Sequence, residues 1–169
     1  MGVQFTINPN LRNILSIGGW SFNDPNDPNG MGQYTYKLFS QMVGSQASRT
    51  QFIDSAIGYA KQYGFNGIDL DWEYPGDLTR GGTAEDFANF VQFLKEAYPA
   101  FQSAGLLLTY ASAAIVPTGV PASYQENPSS YFQWLAECAP FLDRFNVMAY
   151  DYHGLLIMMN INGLRNIQI

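Results

Sequence analysis

The 169-residue chain contains one cysteine, Cys138, and one histidine, His153. A lone cysteine excludes an internal disulfide and any thiolate metal cluster, and leaves the redox compartment open. One histidine without a cysteine pair cannot assemble a zinc site of the usual kind, and no cofactor is expected. Charge is scarce too, at 13% of residues, and positive charge scarcer: 8 Lys and Arg against 14 Asp and Glu give a net charge of −6. Phosphate backbones are bound by clustered Lys and Arg, so no nucleic-acid partner is expected. No apolar stretch reaches the roughly 18 residues of a spanning helix, so no membrane partner is expected either. Met1 to Asn10 has neither a basic segment nor an apolar run, and no secretory signal is visible there. No Gly-rich phosphate loop follows any strand, which disfavours an open-sheet enzyme acting on phosphates. Ser16 has no His–Asp partners nearby in sequence, so a serine-hydrolase reading is poor.

What is present is a globular composition, 47% hydrophobic, of a length that suits one domain with a substantial core. Aromatic residues make up 15%. They serve either a packed core or a cleft that stacks on sugar rings, and composition does not choose.

Along the chain, Arg12 to Gly19 reads as a short buried strand, and the Pro-, Asn-, Asp- and Gly-dense stretch Asp24 to Gly32 as a long loop. Ser48-Arg49-Thr50-Gln51 fits a capping box ahead of an amphipathic helix that ends before Gly64. Thr83 is the expected N-cap of a second helix, with Phe87, Phe90, Val91 and Leu94 on one face and Pro99 as its limit. Gly105 to Ala111 reads as a strand, Asn127-Pro128 as the start of a third helix carrying Cys138 as a small core residue, and Phe145 to Tyr150 as a last strand. Strands alternating with helices, the strands continuously apolar, indicate a parallel α/β sheet with its site in the loops at the strands' carboxyl ends. Sequence order alone leaves a doubly wound sheet and a barrel both open.

The stretch FNGIDLDWEYPG, from Phe65 to Gly76, places carboxylates at every second position among Ile, Leu and Trp. In a strand, Asp69, Asp71 and Glu73 share one face, about 6–7 Å apart along the chain, while Ile68, Leu70 and Trp72 occupy the other. Crowded carboxylates repel one another and bind protons more tightly, so one of them can stay protonated near neutral pH and act as an acid. A solvated strand face is the plainer alternative. The strong apolar face and the bracketing by Gly67 and Pro75-Gly76 suit a core strand opening into a site.

Ser16-Ile17-Gly18-Gly19-Trp20 resembles the Ser-x-Gly-Gly-Trp motif on the third barrel strand of the glycoside hydrolase family 18 chitinases. NGIDLDWEYPG resembles their Asp-Gly-x-Asp-x-Asp-x-Glu signature on the fourth, and Met148-Ala149-Tyr150-Asp151 their Met-x-Tyr-Asp segment on the sixth. The resemblance implies a (β/α)8 TIM barrel and retaining, substrate-assisted hydrolysis of β-1,4-linked N-acetylglucosamine polymers, with chitin or chito-oligosaccharides as the substrate partner. It implies Glu73 as the acid, Asp71 as the group that orients the substrate's acetamido arm, and Asp69 as its proton-sharing neighbour. Tyr150, Asp151, Trp20, Met148 and Tyr74 are the implied substrate-binding residues. It also implies an extracellular location. His153, just after the implied sixth strand, is expected to be an ordinary loop histidine.

Asn66 stands where the signature has its first aspartate, a change expected to alter a proton relay rather than abolish the chemistry. The resemblance covers about residues 10–154, so the expectation is an incomplete barrel of about four βα units over 1–154 and a divergent tail over 155–169. Open sheet edges lead to an expectation of self-association and of impaired hydrolysis by this chain alone. A chitin-binding, lectin-like protein without turnover is the alternative, disfavoured by the presence of Glu73.

Overall fold

Among the described residues, four strands carry the architecture: β1 (Ile14–Gly18), β2 (Gly67–Asp71), β3 (Leu107–Ala113) and β4 (Arg144–Met148). The computed structural model describes residues 8, 10–28 and 30–150. All pairings are parallel, and the strands lie side by side in chain order, β1-β2-β3-β4. Between β1 and β2 run α1 (Gly32–Thr35), α2 (Leu38–Val43) and α3 (Gln46–Tyr63). Between β2 and β3 runs α4 (Asp86–Ala104), and between β3 and β4 run α5 (Ala122–Glu126) and α6 (Pro128–Cys138). A doubly wound sheet reverses its winding at a switch point. These four strands do not reverse, as in successive units of a barrel.

Period-two alternation explains which face is covered. Ile68, Leu70 and Trp72 are fully buried against the helices, together with Leu108 and Tyr110 of β3. Helix α4 meets them with Phe90, Phe93, Leu94 and Phe101, all at 3.6-residue spacing on one side. Most of the aromatic residues are spent here. Trp72 stacks on Phe39 with centroids 5.3 Å apart and receives Phe90 edge-on at 5.7 Å. The Trp134 indole N–H donates to the Phe87 carbonyl at 2.9 Å, so its one polar atom is satisfied inside the core. Cys138 is fully buried at the end of α6, and burial pushes its thiol up to about 12.

Several boundaries differ from the sequence expectation, each for a local reason. The Asp24 to Gly32 loop is followed by two short helices, α1 and α2, that carry no side-chain N-cap. Helix α3 starts earlier than Ser48: the cap is Ser45, whose hydroxyl accepts the Ser48 N–H at 3.2 Å. It ends at Gly64, whose φ of +76° suits glycine. Helix α4 starts at Asp86 rather than after Thr83; the Asp86 carboxylate accepts the Thr83 N–H at 2.8 Å and its hydroxyl at 3.2 Å. Pro99 does not limit α4, which continues to Ala104. The ring removes one backbone donor, but Ala97 and Phe101 on either side are fully buried, and their burial carries the helix on to Gly105. Helices α3 and α4 are tied by a two-pronged ion pair, Arg49 Nε and Nη2 each 2.8 Å from a Glu96 carboxylate oxygen.

Candidate active site

The uncovered face of the sheet is polar and converges on Asp69. In register, Ser16 of β1, Asp69 of β2 and Thr109 of β3 stand side by side. The Ser16 hydroxyl donates to Asp69 Oδ2 at 2.9 Å, and the Thr109 hydroxyl to Oδ1 at 2.5 Å. Asn146 of β4 adds a third donor, Nδ2 to Oδ1 at 2.8 Å. A carboxylate accepting from three other strands is fixed in direction, and its charge is satisfied without a cation.

Asn66 is not part of this cluster. It lies on the opposite parity of the chain, and its side-chain oxygen accepts the Asn13 backbone N–H at 2.9 Å while its own N–H donates to the Asn13 carbonyl at 2.7 Å. The expected effect of Asn66 on a proton relay is therefore replaced by a structural role, the clamp between β1 and β2 at the rim away from the site.

Two residues further along β2, Asp71 is brought close to β1 by the glycines of the Ser-Ile-Gly-Gly run. Gly18 has φ of +117°, and a Cβ there would overlap the Asp71 carbonyl, which accepts the Gly19 N–H at 2.7 Å. The Asp71 carboxyl is pushed up to about 6, chiefly by burial, then by the negative charges of Glu73 and Asp69. Mutual repulsion, the expected cause, thus ranks behind desolvation. Its Oδ1 is buried without a hydrogen-bond partner among the described residues. Glu73, buried beyond the end of β2, is also raised: burial outweighs the hydrogen bond from Tyr74 and the positive charge of Arg80, which pull the other way. Burial and the Glu73 charge raise the Tyr74 hydroxyl in turn. The three carboxylates expected on one face are brought together.

The remaining expected residues are placed less uniformly. Trp20 follows β1 and is exposed, not a core aromatic, and the Arg80 guanidinium lies over its ring at 3.7 Å from the centroid. Met148 ends β4, half-buried and in register with Ala113. Tyr150 is largely exposed beyond that strand. Asp151 and His153 lie outside the described residues.

The sequence profile of the glycosyl hydrolases family 18 matches residues 4–164. The chain belongs to this family. Among curated relatives, the probable endochitinase of Caenorhabditis elegans is 37% identical over 150 residues, which is 85% of this chain and 20% of the relative. Chitotriosidase-1 of Mus musculus is 35% identical over 161 residues, 89% of this chain and 29% of the relative. The chain therefore spans about a fifth to three-tenths of their length. The solved Group IV chitinase of Ostrinia furnacalis in complex with allosamidin matches with a TM-score of 0.66 at 28% identity, over 86% of this chain and 33% of that one. A family 18 N-acetylglucosaminidase from Paenibacillus barengoltzii matches with a TM-score of 0.66 at 29% identity, over 87% and 38%. The four parallel strands and the helices between them are thus part of the family's (β/α)8 barrel fold.

Sequence reasoning missed four residues that hold the carboxylates in place: Thr109 and Asn146 on Asp69, and Asn23 and Arg80 on the Glu73 backbone. Thr109 was detectable as the polar residue within the apolar Leu106 to Tyr110 run, and Asn146 as its counterpart in β4. Asn23 and Arg80 sit in short 3-10 turns after β1 and β2, where no periodicity signals a role.

Proposed function

We propose that this chain carries the acid-bearing part of a chitinase that hydrolyses β-1,4-linked N-acetylglucosamine polymers with retention, using the substrate's own acetamido group as nucleophile. In this reading the Glu73 carboxyl protonates the glycosidic oxygen as the bond to the anomeric carbon breaks. The acetamido carbonyl oxygen attacks that carbon and forms an oxazolinium ring, and water then opens the ring with the Glu73 carboxylate taking its proton. Burial favours this role, because it keeps Glu73 protonated above the ordinary glutamate range.

Asp71 would accept the acetamido N–H, aim its carbonyl and stabilise the positive charge that develops. The observation that carries the reading is Asp71 Oδ1: a buried acceptor with no protein donor among the described residues, on a carboxylate electrostatically coupled to both Glu73 and Asp69. Asp69 would keep Asp71 oriented and share its proton. Trp20 would offer its exposed ring to a sugar, with Tyr74, Met148, Tyr150 and Asp151 completing the contacts. An extracellular location accords with the polymeric substrate. Hydrolysis by this chain alone is proposed to be impaired, and the outer edges of β1 and β4 to favour pairing with a second copy, because the described residues furnish four of a barrel's eight strands.

The test is turnover of a fluorogenic chitobioside by this chain and by a longer protein containing it, each with and without Glu73→Gln. Turnover lost on that substitution supports the reading. Binding of chito-oligosaccharides with no turnover in either protein would replace it with a lectin-like function.

A further inference from the structure

Glu73 is gripped by its backbone from two sides. Its N–H donates to Asn23 Oδ1 at 3.1 Å, and its carbonyl accepts the Arg80 Nε–H at 2.8 Å. Asn23 belongs to the turn Ser21–Asn23 after β1 and Arg80 to the turn Leu78–Arg80 after β2, so the loops of two neighbouring strands close on one residue. The other arm of Arg80 reaches further: Nη2 donates to the Trp20 carbonyl, and the guanidinium carbon lies 3.7 Å from the centre of the Trp20 ring.

Exposure separates the two partners. Arg80 is 8% exposed and Trp20 47%. The cation is therefore sealed beneath an indole that still meets solvent. Arg80 forms no ion pair among the described residues, and its hydrogen bonds go to two carbonyls. A guanidinium suits the position because it presents two N–H groups at a fixed angle and a flat face for stacking, which an ammonium cannot do together.

We propose that Arg80 is a positioning residue that joins the acid Glu73 and the outward ring of Trp20 into one unit, so that docking of an aminosugar on Trp20 and aiming of the acid are energetically coupled. This rests on the reading of Glu73 as the acid and Trp20 as a sugar platform. Asn23 holds the peptide on the other side of the Glu73 Cα, so that movement of Arg80 is passed to the carboxyl rather than dissipated along the strand. The positive charge also opposes the burial that raises Glu73.

Two variants separate geometry from charge. Arg80→Lys keeps the charge and loses the fork; Arg80→Met loses both. Titration of the Glu73 side-chain carbon by NMR in the 169-residue chain, assigned with Glu73→Gln, needs no turnover. The expected result is a midpoint raised by about 1 pH unit in Arg80→Met and nearly unchanged in Arg80→Lys, with the Trp20 indole N–H signal displaced in both. Binding of chitotriose should be weakened non-additively by Trp20→Ala and Arg80→Met combined. In the longer protein containing this chain, Arg80→Lys should lower kcat on the fluorogenic chitobioside about 10-fold or more while KM changes less.

A folded Arg80→Met chain with an unmoved Glu73 midpoint overturns the proposal. If that variant does not fold, Arg80→Lys decides: wild-type indole shift and wild-type kcat overturn it equally. Full hydrolysis by Glu73→Gln would instead sink the reading of the acid, and the titration and indole results would stand apart from it.

Discussion

Asn146 on β4 donates to Asp69 on β2 across the width of β3, Nδ2 to Oδ1 at 2.8 Å. The bond skips a strand because the open faces of β2, β3 and β4 converge, and Thr109 in between bonds to the same oxygen. Asp69 is thus the shared acceptor of three strands. Replacing it with alanine leaves the Thr109 hydroxyl, itself buried, and two other donors without their acceptor. The expected cost is about 2–4 kcal/mol, read as a lowered urea midpoint. Asp69→Asn, which keeps one acceptor oxygen, should cost less, and equal loss in both variants would contradict the network.

Asp71 makes stability depend on pH in a defined direction. Its folded carboxyl, pushed up to about 6, holds a proton that an unfolded aspartate releases near pH 3.9. Between those values the native state binds more protons than the unfolded chain, so stability falls as pH rises from about 4 to about 6 and the loss is complete above. Asp71→Asn removes this loss. The variant should gain on the order of 1 kcal/mol over the parent at pH 8 relative to pH 4, after allowance for solvent screening of a partly exposed group. Urea unfolding at the two pH values measures it, and a pH-independent difference would count against the assignment.

Gly18 is a second sensitive point. Its φ of +117° is strained for any residue with a Cβ, and that Cβ would overlap the Asp71 carbonyl at the end of β2. Gly18→Ala should cost about 2–4 kcal/mol and weaken chito-oligosaccharide binding, since relief of the overlap displaces Asp71. Gly58, where a Cβ meets nothing within 4 Å, is the control: Gly58→Ala in the middle of α3 should stabilise by about 0.5–1 kcal/mol.

The Arg49–Glu96 pair provides a site-independent check. Arg49 Nη1 also donates to the Val43 carbonyl at 2.9 Å, so one guanidinium links α2, α3 and α4. Arg49→Met should cost about 2–3 kcal/mol while leaving the titration of Glu73 untouched. The hydrogen bond from Arg49 lowers the Glu96 carboxyl, so this contribution is present above the ordinary glutamate value and disappears as pH falls through the lowered folded one.

The β2 alternation was legible because a strand turns successive side chains to opposite faces, so the placing of Asp69 and Asp71 on one side follows from parity, while Glu73 lies just past the strand's end. The end of α3 at Gly64 was legible for an equally local reason. Asn23 and Arg80 were not, since the contacts that define them join residues 50 and 60 positions apart in turns with no periodicity. Pro99 misled because its local penalty is real, and only the burial of Ala97 and Phe101 outweighs it. Asn66 misled in the opposite way: the motif suggested chemistry where one more residue of parity assigns it to a strand clamp.

Trp72 has a consequence for the aim of its neighbour. It is the immediate neighbour of Glu73, sealed between Phe39 and Phe90 in the aromatic layer under the sheet. The carboxyl above and the indole below are opposite ends of one short rigid lever. Thinning the ring stack, as Phe39→Ala would, therefore shifts the backbone that carries the carboxyl as well as opening the core.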